Sequence, residues 1–533
     1  METNLDTDTK SFSLTPTLNV RGELTIEELL QFVFNKNCLL QKNLEVTPEV
    51  YARIQKSNQI LNSMIENRVP IYGVTTGFGD SCHRVVPPDS TKLLQKNLIQ
   101  YLSCGTGEIL PVEAVRAMSL IRINSMARGY SGISQELLDR MILFFKHDIQ
   151  PQVPCEGSLG ASGDLIPLAY YAQMIQGKGQ CFYQGVAHST ESILNKLEIP
   201  PYEFKAKEGL ALVNGTSTMA GMLTLNLKMA EWIFDCLIIA TSWQCQVLGG
   251  KTEAFGTFIN EVAKTNAGQA HVARKIRELL GDENYESELA QEVKIKGHFT
   301  ESFVQDRYSL RCVPQILGPI REQLDLAWNH LQHEVNSITD NPLFSEEGRL
   351  ELGGDFYGGY LCQAHDILKM NVAHMADLLD RQLAMIIDEK SNRGLPANLI
   401  DTSSLSEDTR HCHQGLKGLH QAVSAITAEI LQRSIPNGIF SRSSESHNQD
   451  KVSMGMGAAM SSYHQMQAMN RITTMHLIAL AQALDLRKIE LKGKRARKLY
   501  QEIRKVVPQI TEDTELGPQI KQLSLRFKEL ALV

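Results

Sequence analysis

The chain has no C-x-x-C pair among its 10 cysteines, no run of 18 or more apolar residues, and no strong charge imbalance. Each absence closes a class of function. Scattered cysteines fit reduced thiols and offer neither a disulfide framework nor paired zinc ligands. Without a long apolar run, nothing reads as a membrane span. A net charge of -7 over 533 residues argues against a general nucleic-acid binder. The basic stretch 487–505 is broken by acids and holds Tyr500 as its one aromatic, so it reads as a solvated helical face. "RHCHQG" sets His411, Cys412 and His413 side by side, but neighbouring residues diverge and no second ligand cluster follows, so no metal is expected. Residues 1–20 read as a disordered tail, because "METNLDTDTKSFSLTPT" lacks the apolar core of a signal peptide. A cytoplasmic protein is the expectation.

What is present is helix. From Tyr360 to Lys390 there is no glycine or proline, and Leu368, Val372, Met375, Leu379, Leu383 and Ile386 recur at three- and four-residue steps. That predicts one apolar stripe on a helix of roughly 45 Å. Ala458 to Leu486 is a second uninterrupted stretch. Strand patterns are few, and no repeat or low-complexity linker divides the chain. A mainly α fold follows, a bundle of long helices with residues 21–533 as one unit. Six glycine-rich segments interrupt it, at 72–80, 157–165, 208–217, 305–319, 353–359 and 444–455. Several precede a helix, where free backbone N–H groups gather at the positive end of the dipole.

The densest segment is "GSLGASGDL", 157–165. A turn needs one or two glycines, so the surplus of small residues points to an unusual backbone. In Ala161-Ser162-Gly163, a tight kink would let the Gly163 nitrogen attack the Ala161 carbonyl carbon. Loss of two waters would leave Ser162 as an exocyclic methylene, an electrophile made from the chain alone. A glycine leaves that approach open. Asp164 stands where an N-cap would, and Pro167 falls in the first turn of the following helix, where its missing N–H is harmless.

Through all six segments, in this order and spacing, the chain resembles the aromatic amino acid ammonia-lyases and aminomutases, from about Leu24 to the C-terminus. The resemblance implies a self-made 4-methylideneimidazol-5-one (MIO) at Ala161, Ser162 and Gly163, with no external cofactor. It implies that residues up to about 220 carry this group and a lid loop, with the long bundle after them. It also implies an elimination of ammonia and a homotetramer with shared sites. Tyr72 in "YGVTTGFG" matches the family's base, and Gly73, Gly77 and Gly79 suggest a mobile lid. A pocket that favours phenolate is the expectation there. Arg311 in "QDRYSLRC" matches the carboxylate clamp, with Tyr308 and Gln305 as its MIO-proximal companions. Asn214 in "VNGTS" resembles the asparagine that bonds the ring oxygen or the substrate carboxylate. Phe356 in "GGDFYGG" resembles a pocket phenylalanine, beside Asp355 where the family has asparagine.

Substrate class rests on a few positions. Tyr101 and Leu102 occupy the pair that varies with the substrate ring, and Leu102 suggests an apolar wall. Lys417, and Glu445 with Gln449 in "SESHNQD", resemble phenylalanine lyases, so conversion of L-phenylalanine to trans-cinnamate is the expected reaction. Tyrosine or histidine ammonia-lyase, or a phenylalanine/tyrosine 2,3-aminomutase, are the alternatives. A non-enzymatic helical scaffold would leave Ala161-Ser162-Gly163, Tyr72, Tyr308 and Arg311 idle together.

Overall fold

The computed structural model describes residues 17–35, 38, 43–281, 295–300, 304–403 and 405–532. Thr17–Val20, inside the expected tail, form a strand that pairs in parallel with Asn43–Val46; residues 1–16 lie outside the described residues. The helices that shape the site are α1 (Thr91–Leu102), α2 (Val112–Ala127), α3 (Leu165–Ile175), α4 (Glu208–Val213), α5 (Ser217–Leu248), α6 (Tyr308–Arg311), α7 (Val313–Val335), α8 (Gly359–Ile387) and α9 (Gly455–Arg487).

Both predicted long helices are present as α8 and α9. They pack on each other and on α5, the third long helix, which the sequence pattern did not reveal. The reason is burial. Side chains are buried on every face of α5, Trp243 and Asn226 among them, so no apolar stripe alternates with a polar one. At 32 residues, α5 is about 48 Å long and gives the molecule two distinct ends.

Four helices begin at the same end. Gly163 bridges to Gly215, Met219 N donates to Asp164 Oδ2, and Ser453 Oγ donates to Gly160 O. A Cβ added at Gly358 or at Gly455 would run into the Met219 side chain. The N-termini of α3, α5, α8 and α9 therefore converge around Met219, as the glycine-rich segments suggested. α7 starts at the opposite end and returns the chain here, delivering Thr339, Asp340 and Asn341. Short antiparallel strands, such as Ile149–Pro151, Gln180–Tyr183 and Val186–Ser189, flank the bundle.

Candidate active site

At this convergence lies a cavity of about 200 Å3. Ala161 and Ser162 form part of its wall, with Tyr72 and Phe78 from the 72–86 loop, Tyr101 from α1, and Asn214 from the turn after α4. Phe356, Glu445 and Gln449 complete the set that the sequence proposed and this chain brings together.

The tripeptide is clamped from two sides. Gly163 has φ of +73°, and a Cβ there would lie 2.1 Å from Gly215 O, so no other residue fits. The Asp164 amide donates to the same Gly215 carbonyl at 2.6 Å. On the other side, Ser453 Oγ donates to Gly160 O, and Met454 N donates to Leu159 O at 3.0 Å. Asp164 holds the N-cap position of α3 but does not cap that helix. Its carboxylate reaches across to the first turn of α5, accepting from Met219 N at 2.8 Å. Burial pushes this carboxyl up to about 7 against the pull of those backbone donors.

The Tyr72 hydroxyl oxygen accepts the Gly79 amide at 2.9 Å. That single donor favours phenolate, but burial outweighs it and the nearby Glu445 carboxylate adds to it, so the phenol lies above its usual range. The expectation of a phenolate-favouring pocket is thus reversed within one chain. The loop carrying Tyr72 is folded over the cavity: Gln95 Nε2 donates to Gly73 O, and Val86 N donates to Thr75 O. Its glycines serve close approach. A Cβ on Gly79 would overlap the Glu445 carboxylate, and one on Gly73 would lie 2.6 Å from Leu210.

Five proposed residues lie elsewhere. Leu102 turns into the core, since adjacent helical positions diverge and Tyr101 takes the cavity side. It forms no apolar wall for a substrate ring in this chain. Tyr308 and Arg311 sit at the far end of the bundle, roughly 45 Å along α5 from the tripeptide. There Leu310 lies beside Gly250, Gln382 Nε2 donates to Ser309 O, and Asp306 accepts from Lys251 N and Arg393. Tyr308 is 69% exposed, with the Arg311 guanidinium stacked over its ring at 4.5 Å. Gln305 is exposed just before α6 and shares no helical face with them. Lys417 is also exposed, bonded to Gln414. Asp355 lines a neighbouring cavity of about 1040 Å3, where its charge helps raise the Glu334 carboxyl.

The sequence reading missed Asn341 and Tyr357 in the cavity wall. Asn341 accepts the Asn214 amide through its backbone oxygen, a contact that no side-chain pattern announces. Tyr357 was within reach, being next to Phe356.

A five-membered ring closed on Ala161-Ser162-Gly163 fits these surroundings. The tripeptide is bent, with Gly163 at positive φ, and Ala161 and Ser162 open to the cavity. Asn214 Oδ1 is buried beside it without a partner among the described residues. Among those residues, no group of three or more His, Cys, Asp or Glu side chains could hold a metal ion, and no helix is long and apolar enough to cross a membrane.

The family described as "Aromatic amino acid lyase" matches residues 24–505. Histidine ammonia-lyase from Myxococcus xanthus is 34% identical over 511 residues, 96% of each chain. Phenylalanine aminomutase from Pantoea agglomerans has a similar structure, with a TM-score of 0.89, 31% identity, and coverage of 97% of this chain and 100% of that one. Tyrosine aminomutase from Streptomyces globisporus has a TM-score of 0.86 at 29% identity, covering 97% and 98%.

Proposed function

Because this chain belongs to the aromatic amino acid lyase family, we propose that its cavity removes ammonia from an aromatic L-amino acid whose ring carries a hydrogen-bonding edge. The family forms MIO autocatalytically, and here Ala161-Ser162-Gly163 is its source. Once formed, MIO would supply an electrophilic centre that makes the substrate amine a better leaving group. The remaining tasks fall to side chains. Tyr72, as its phenolate, takes the β-proton and becomes neutral phenol, and the Gly79 amide steadies the phenolate charge before that transfer. Asn214 Oδ1, an acceptor, can take a hydrogen bond from the substrate amine; its Nδ2 already donates to Asn341 O, so the expected bond to the ring oxygen or the substrate carboxylate is not the one this chain presents. The guanidinium fork of Arg311 suits a substrate carboxylate, and it would come from a second copy, packed so that its far end meets this near end. A homotetramer built in that way would complete each site with Tyr308 and Gln305 as well.

The observation that carries the ring preference is the wall facing the substrate. Tyr101 and Glu445 line the cavity together and are electrostatically coupled. A phenyl ring offers no hydrogen bond to that polar pair, of which Tyr101 is 57% exposed in this chain and Glu445 accepts from Asn448 Nδ2. An imidazole or a phenol would match it. The phenylalanine expectation loses support accordingly: of the residues on which it rested, Leu102 turns into the core and Lys417 lies outside the cavity, whereas Tyr101, Glu445 and Gln449 line it. Histidine is supported by the names of sequence relatives, such as the Myxococcus xanthus enzyme. Tyrosine with 2,3-aminomutase chemistry is a second reading, supported by the tyrosine aminomutase likeness.

Incubation with L-histidine, L-tyrosine and L-phenylalanine separately tests this, following acrylate absorbance, ammonia and β-amino acid. Higher kcat/KM on histidine or tyrosine than on phenylalanine is expected. A clear preference for phenylalanine would overturn the ring assignment, and no turnover of any of the three would overturn the activity.

A further inference from the structure

The Gly215 backbone is held between the tripeptide on one face and a guanidinium on the other. Arg122, on α2, is fully buried, and no carboxylate lies within ion-pair distance of it among the described residues. Its Nη2 donates to the backbone oxygens of Ala211 and, at 2.6 Å, Asn214. Its Nη1 donates to Thr339 Oγ1 at 3.3 Å, and the same oxygen accepts Thr216 N at 3.4 Å. All these partners belong to the α4–α5 turn or brace it. A Cβ on Gly215 would lie 2.2 Å from Arg122 Nη1, so the guanidinium packs directly on the Gly215 backbone. On the opposite face, the Gly215 carbonyl takes the Asp164 amide and closes off the space above Gly163.

A buried guanidinium is an expensive way to fill space, because a charge away from water needs compensation. Arg122 Nε lacks a partner, and burial lowers the guanidinium to about 10. Methionine would fill a similar volume but donate to none of these oxygens. What arginine adds is a rigid fork that can hold several carbonyls at fixed separations.

We propose that Arg122 is a positioning residue for the dehydration of Ala161-Ser162-Gly163: by fixing the Asn214–Thr216 turn, it sets the Gly215 carbonyl that holds Gly163 and Asp164 in the kinked geometry. This rests on the proposed function, in which that tripeptide closes. In the closure, the Gly163 nitrogen bonds to the Ala161 carbonyl carbon. The Ala161 oxygen leaves as water with the amide protons of Ser162 and Gly163. Ser162 Oγ leaves as a second water with its own proton and the α-proton. No oxidant is required. A carbonyl that drifted away from the Asp164 amide would release the kink, and ring closure would slow without unfolding the bundle.

The test measures dehydration in folded protein, not activity alone. Wild type, Arg122→Met, Arg122→Lys and Thr339→Val are purified, checked by circular dichroism and thermal melting, and weighed intact. The wild type is expected to fall short of its sequence mass by two waters. Folded Arg122→Met is expected to retain its full mass in most chains, with a dehydrated fraction at least tenfold smaller. Arg122→Lys and Thr339→Val are expected to give intermediate fractions, with normal turnover per dehydrated chain. A complete two-water deficit in folded Arg122→Met would overturn the proposal. Should that variant fail to fold, a complete deficit in Arg122→Lys and Thr339→Val would overturn it equally. A wild type of full sequence mass would overturn the proposed function first, and the role of Arg122 with it.

Discussion

At Tyr72 one donor and one carboxylate compete over the same oxygen. The Gly79 amide favours phenolate, whereas burial and Glu445 oppose it. If Tyr72 is the base, Tyr72→Phe should lower kcat by about 10²-fold or more while leaving the two-water mass deficit intact. Near-normal turnover would remove it from that role. The sign of the Glu445 contribution gives a second expectation. A negative neighbour raises the phenol, so Glu445→Gln should lower it. The alkaline-rising limb of kcat/KM against pH should then move to lower pH; an unmoved limb would show that Tyr72 does not govern it. The residues legible from the sequence were those inside small-residue motifs. Tyr72, Ser162, Asn214 and Glu445 all lie in such motifs and in the cavity. What the motifs could not reveal is direction. Tyr101 and Leu102 are adjacent, yet only Tyr101 faces the cavity. Asp164 likewise stands before α3 but caps α5, because the two helix starts lie against each other only in the folded chain.

Among the helices, α8 was legible from the spacing of its apolar residues and α9 from an uninterrupted stretch, whereas α5, buried like α9 on all faces, shows no apolar stripe. The three are tied near the site by His365 on α8, whose Nδ1 lies 2.9 Å from Ser462 Oγ on α9 and whose Nε2 lies 3.2 Å from Met219 O on α5. The Met219 contact makes Nε2 the protonated nitrogen of a neutral ring. Burial pushes this histidine down to about 4. The linkage is of the depressed kind: the unfolded chain takes up the proton first as pH falls. Stability is therefore full above about 6.5 and is lost as pH drops towards about 4, by an amount on the order of 3 kcal/mol. His476, buried and lowered to about 3, adds to the same acid loss. Denaturant unfolding at stepped pH should show stability falling across this window, less steeply in His365→Gln than in the wild type. Parallel profiles would mean that His365 does not carry the effect. Gly163→Ala adds a Cβ 2.1 Å from Gly215 O at positive φ. It should leave the chain at full sequence mass and lower the melting temperature, with a cost of about 1–3 kcal/mol. A two-water deficit in that variant would contradict the clamp described for this turn.

For the whole molecule, the central fact is that one chain carries the parts of the proposed site at opposite ends of its bundle. Ser162, Tyr72 and Asn214 lie where α5 begins, and Tyr308 and Arg311 where it ends. The sequence resemblance supplied both groups but not the distance between them, since spacing along a chain says nothing of which helix end a loop occupies. With Tyr72 as the proposed base and Arg311 as the proposed carboxylate clamp, roughly 45 Å apart, the two could act on one amino acid only between copies. Co-expression of Tyr72→Phe with Arg311→Ala, with mixed oligomers verified by tagged purification, tests this most directly. Each variant alone should be nearly inactive. The mixture should regain about a quarter of wild-type turnover, from sites that join an intact Tyr72 of one copy to an intact Arg311 of another. Verified mixed oligomers that stay as inactive as either parent would contradict the shared site.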